Sequence, residues 1–194
     1  MVWLKPDPLG LEFAEIGLEQ DRLTAIGVAI GAAPVPYRLD YEIETAPGFT
    51  TARLEVGTTG DGWQRGLVLE RDEDGDWSIA SCEVGHVDLP APGGDVAALA
   101  EATDFDLGLS PVTNLIPLRR HDLLARTEWL ELTVAWVSVP DLAVQADGQR
   151  YRVVRTDEHG SVIGYEATDG TFDAEITLDP DGIPVEYPGI ARRI

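Results

Sequence analysis

Three residue types that build most active sites are scarce in this chain of 194 residues: it has one cysteine, Cys82, one lysine, Lys5, and three histidines. A single thiol forms no intrachain disulfide and no multi-cysteine metal site. His86, His121 and His159 are scattered, and neither an H-E-x-x-H nor a G-x-S-x-G motif occurs, so zinc-peptidase and α/β-hydrolase chemistry lack their carriers. Ser110, His121 and a nearby aspartate could be grouped as a nucleophile triad, but a triple of this kind arises readily by chance. No apolar run approaches the ~20 residues that cross a bilayer. The opening MVWLKPDPLGLEF carries two prolines where a signal peptide would carry its apolar stretch. The expected location is the cytoplasm, and no cofactor or metal is expected.

Positive charge is also scarce. Fourteen basic residues face 35 acidic ones, giving a net charge of −21. Such a field repels nucleic acid and anionic membrane surfaces, so neither is expected as a partner. An acidic surface of this kind serves solubility.

What the chain does have is alternation. Tyr37, Leu39, Tyr41 and Ile43 alternate with Arg38, Asp40, Glu42 and Glu44, the pattern of a half-buried antiparallel strand. Ala52, Leu54 and Val56 follow the Pro47-Gly48 turn as its partner, and Thr24, Ile26, Val28 and Ile30 share one face of an earlier strand. Asp61-Gly62, Asp169-Gly170 and Asp181-Gly182 mark hairpin turns. Asp72, Asp74 and Asp76 have the wrong spacing for a calcium loop and read as another turn. Cys82–Leu89 reads as one more strand, and Asp95–Ala102 as the one helix, capped by Asp95. Phe172, Ala174, Ile176 and Leu178 are expected to point inward together. Between Thr127 and Val139 both faces are apolar, as in a strand covered on both sides.

The expectation is a mainly β protein. A long antiparallel sheet of hairpins rolls into a half-barrel, with at most one or two short helices and a repeating style consistent with internal duplication. It is read as one domain, 1–194, made of a first meander over about 1–89, a crossing segment over about 90–126 and a second meander over about 127–194.

The crossing segment holds the least sheet-like residues. In DFDLGLSPVTNLIPLRRH, Asp104–His121, two prolines remove backbone donors, so this is no ordinary central strand. Ser110, Thr113 and Asn114 supply small polar groups, and Arg119 and Arg120 supply planar guanidinium forks suited to carboxylate or phosphate. If extended, the two arginines point to opposite faces. They could equally pair with the chain's own acids.

SPVTNLIPLRR resembles the signature of a glycolipid-binding family, whose typical form is close to SPxTNxLPIRR. Gln149-Arg150-Tyr151 is similar to the family's Gln-x-Tyr element, and Asp181-Gly182 with Tyr187-Pro188-Gly189 to its C-terminal end. The resemblance covers essentially the whole chain. It implies a rolled β-sheet similar in shape to bacterial lipoprotein carriers, and an amphipathic ligand such as a glycolipid or other lipid in a cavity of the sheet, without catalysis. The candidate ligand-binding residues are Ser110, Thr113, Asn114, Arg119, Arg120, Trp136 and Tyr151, with the crossing segment at the cavity mouth. Two alternatives stay open: an enzyme acting on a small or carbohydrate substrate at the Asp104–His121 loop, and an interaction module with a filled core. The sequence leaves the oligomeric state undetermined.

Overall fold

The alternating stretches of the first half become seven strands in a computed structural model that describes residues 1–194. They are β1 (Val2–Pro6), β2 (Leu9–Leu18), β3 (Leu23–Gly31), β4 (Tyr37–Ala46), β5 (Thr50–Gly60), β6 (Trp63–Arg71) and β7 (Trp77–Gly85). The second half adds β8 (Asp104–Leu107), a single α-helix α1 (Leu115–Arg120), β9 (Leu130–Val137), β10 (Val144–Asp157), β11 (Gly160–Ala167), β12 (Asp173–Leu178), β13 (Pro184–Tyr187) and β14 (Ala191–Arg193). All fourteen strands form one sheet, in the order β7-β6-β5-β4-β3-β2-β1-β14-β13-β12-β11-β10-β9-β8. Every neighbouring pair is antiparallel except β8 and β9, which are parallel because the crossing segment runs between them. The sheet is rolled and not closed into a barrel, leaving β7 and β8 as its edges. No helix is long and apolar enough to cross a membrane.

The predicted turns form where an acidic residue precedes glycine: Gly62, Gly170 and Gly182 have φ of 77°, 76° and 73°. On β4, Tyr37, Leu39, Tyr41 and Ile43 are all buried on the concave side. On β3 the two isoleucines face the other way. Ile26 and Ile30 are each 51% exposed, while Ala25 and Ala29 are buried. The cause is steric. The Tyr41 ring lies against Gly27 and the Tyr37 ring against Gly31, where an added Cβ would come within 2.2 and 2.4 Å of ring atoms. Small residues on β3 make room for large rings on its neighbour.

Two apolar clusters fill the molecule. The larger joins Leu39, Ile43, Leu54 and Leu69 of the first half to Phe105, Val112, Leu115 and Ile116 of the crossing segment. The smaller gathers Leu132, Val134, Tyr151, Ile163, Tyr165 and Ile176. β9 is the wall between them: Ala135 and Val137 face the first cluster, Leu130, Leu132 and Val134 the second. Its two apolar faces therefore have the meaning expected of them.

Three local expectations are corrected. Asp95 does cap a turn, accepting from Ala97 N at 3.0 Å, but that turn is a short 3₁₀ segment, Val96–Leu99. The α-helix instead lies in the proline-containing segment, where Pro117 is its third residue and lacks an N–H that the first turn leaves unpaired anyway. Cys82–Gly85 completes β7, and residues 86–89 leave the sheet. The crossing segment also sits inside the roll. Residues from Ser110 to Leu118 are all buried, with Val112, Leu115 and Ile116 in the larger cluster.

Candidate binding cavity

The crossing segment folds around Asp106. After Leu107 the chain turns at Leu109, with φ 64°, and winds into α1 through Leu115 N→Val112 O and Ile116 N→Thr113 O bonds of 3.1 Å each. This winding brings the Thr113 hydroxyl back to donate to Asp106 Oδ1 at 2.6 Å. From β10, Gln149 Nε2 donates to Asp106 Oδ2 at 2.8 Å. The Tyr151 hydroxyl lies 3.0 Å from Gln149 Oε1 and 3.2 Å from Asn114 Oδ1, and Asn114 Nδ2 donates to Pro111 O. The Thr-Asn and Gln-x-Tyr elements, 36 residues apart from Thr113 to Gln149, thus hold one carboxylate between them. Burial pushes the Asp106 carboxyl up, the two donors oppose that shift, and the nearby Asp147 adds to it.

Asp106 opens onto a cavity of about 630 Å³. Its aromatic side comes from Trp136 on β9, Tyr165 on β11, Phe172 and Tyr187. The last three rings pack with centroids 5.9 to 6.1 Å apart at tilts of 56° to 66°. Ser110, Asn114, Gln145 and Thr171 supply neutral polar groups, and Pro8, Ala33 and Pro34 reach the cavity from turns of the first half. Two further carboxylates, Asp147 and Asp169, line it. Burial, and then the charge of Asp169, push the Asp147 carboxyl up. Asp169 is held low by the Thr171 backbone N–H at 2.9 Å and the Thr171 hydroxyl at 2.7 Å. No arginine, lysine or histidine lines the space.

Of the residues singled out from the sequence, Ser110, Asn114 and Trp136 meet at this cavity. Thr113 and Tyr151 are buried beneath it, positioning Asp106 and Asn114. Arg119 and Arg120 lie elsewhere. Helical geometry, in place of the extended one expected, turns Arg119 to the Asp181 carbonyl and Arg120 to Thr103 O and the Asp104 carboxylate. Asp104 is fully buried, accepts from Thr51 Oγ1 at 3.1 Å and has His121 Nε2 3.9 Å away. Burial alone would raise its carboxyl; His121 and Arg120 outweigh that and hold it below the usual range. Ser110 donates to Glu12 Oε1 at 2.6 Å, within a buried group in which Lys5 Nζ lies 2.7 Å from Glu12 and the Tyr41 hydroxyl donates to it at 2.8 Å.

Sequence reasoning missed Asp147, Asp169, Tyr165, Phe172 and Tyr187 as a group. A signal existed: Gln145, Asp147 and Gln149 share one face of β10, and Tyr165 and Ala167 one face of its neighbour β11.

The family described as "Putative glycolipid-binding" matches residues 1–193. No curated protein matches. Among solved structures, a DUF1089 family protein from Pseudomonas aeruginosa is similar, with a TM-score of 0.72 and 24% identity over 94% of this chain and 92% of that one. At that identity the likeness establishes the fold.

Proposed function

Because the chain belongs to this glycolipid-binding family, we propose that it binds an amphipathic ligand, a glycolipid or related lipid, without transforming it, and that the polar head group enters the cavity floored by Asp106. The observation that carries this reading is the convergence of the family-like Thr-Asn and Gln-x-Tyr elements on one carboxylate at the cavity wall. A carboxylate fixed by two donors keeps lone pairs free to accept hydroxyls, and aromatic rings beside it offer faces for a sugar ring. The volume of about 630 Å³ lies within the range of small-ligand sites, ~300–1,000 Å³. The apolar tail would leave through the mouth past Pro8, Ala33 and Pro34, since the crossing segment occupies the interior.

Two measurements test this. Gentle purification, organic extraction and mass spectrometry should recover a glycolipid or lipid at near-stoichiometric amounts. Calorimetric titration with alkyl glycosides should show saturable binding that Asp106→Ala abolishes. Absence of any bound lipid, together with no glycoside binding at millimolar concentration, would sink the proposal. Conversion of an added glycoside during the titration would replace binding by catalysis.

A further inference from the structure

Carboxylates of this protein differ in their partners. Glu12 and Asp104, buried outside the cavity, have Lys5 at 2.7 Å and Arg120, and the half-buried Asp179 has Arg193 at 2.7 Å. Asp106, Asp147 and Asp169 line one cavity, and none of them is in an ion pair. Cations lie over Trp129, with Arg150 and Arg152 each at 4.7 Å, and over Trp63 and Trp77, with Arg65 and Arg71; none lies over the cavity rings Trp136, Tyr165, Phe172 and Tyr187.

Negative charge and aromatic rings around one half-open cavity attract the same thing. We infer that the head group bound here carries a positive charge, an amine or quaternary ammonium, a ligand class that rests on the binding reading above. The charge belongs to an organic cation: no group of three carboxylate or imidazole side chains is gathered closely enough to hold a metal ion. An ammonium would sit between carboxylates and ring faces, the arrangement that recognises choline and methylated amines. Anionic head groups meet three carboxylates and no compensating base. Burial already disfavours the ionised forms of Asp106 and Asp147, a cost that a bound cation relieves.

The test uses the full chain and three probes at one pH in calorimetric titration: octyl glucosaminide, which has sugar and amine; octyl glucoside, which has sugar alone; and choline, which has charge alone. Octyl glucosaminide should bind at least about tenfold tighter than octyl glucoside, the scale of one desolvated charge contact. Asp147→Asn should shrink that ratio, and so should Asp169→Asn, whose exposed turn position keeps the test open if the first variant fails to fold. Equal affinity for the two glycosides overturns the inference and leaves the glycolipid reading standing. Binding of choline with no glycoside binding keeps the inference and removes the glycolipid reading. Binding of none of the three overturns both.

Discussion

Replacing Arg120 should markedly destabilise this protein, although the residue does not line the cavity. Asp104 is fully enclosed, and its strongest partner is the Arg120 guanidinium, whose Nη1 also donates to Thr103 O at 2.7 Å. Arg120→Ala leaves a buried carboxylate with the Thr51 and Thr103 hydroxyls at 3.1 and 3.3 Å and His121 at 3.9 Å. Stranding one member of a buried pair costs about 3–5 kcal/mol. With the arginine side chain 20% exposed, the lower end, about 3 kcal/mol, is the better estimate. Against a typical stability of ~5–15 kcal/mol that is a large fraction. Urea unfolding followed by tryptophan fluorescence measures it. Arg120→Met combined with Asp104→Asn should recover most of the loss, because the stranded charge is gone. The pair also sets an acid limit. The folded Asp104 titrates below its unfolded value of 3.8, so its contribution is complete above that value and is lost as pH falls through the folded one. The double variant should lose that part of the acid sensitivity. A loss under about 1 kcal/mol for Arg120→Ala would refute the reasoning, since that is the scale of an exposed pair.

Lys5→Met should cost about 3–5 kcal/mol in the same unfolding assay by stranding Glu12, and Glu12→Gln a similar amount by stranding Lys5. Gly27→Ala should cost about 1–3 kcal/mol, read as a lowered thermal midpoint, because the new Cβ meets the Tyr41 ring. Asp106 has the opposite sign from Asp104. Its folded pKa is raised, so its contribution is complete below 3.8 and is lost as pH rises through the folded value. Asp106→Asn should therefore remove part of the stability that the protein gains as pH falls from neutral, measured as urea midpoints across that range.

Strands were legible wherever large apolar residues alternate with charged ones, as on β4, and turns wherever aspartate precedes glycine. β3 shows where that reading stops. Its facing could not be told from its own residues, because Ile26 and Ile30 point outward to accommodate rings carried by Tyr37 and Tyr41. α1 was hidden because a proline at its third position looks like a helix stop until the start is known. The crossing segment stood out as the place to look, and its polar residues do gather. Their focus, Asp106, was obscured because it depends on Gln149 arriving from another strand and on a parallel β8–β9 pair that no hairpin turn announces. The arginines drew attention by charge, and helical geometry sent them elsewhere.

The filled roll also bears on kinetics. A carrier that stores its cargo between sheet and lid must part them at each transfer, and its exchange rate is then that of the opening motion. Here the space beneath the sheet is occupied by Val112, Leu115 and Ile116, side chains that belong to the main core and would separate from it only on unfolding. Loading and release by the route proposed above would need no such event. Association should then run at the ordinary ~10⁵–10⁷ M⁻¹s⁻¹ of an unobstructed encounter, with residence time set by contacts in the cavity alone.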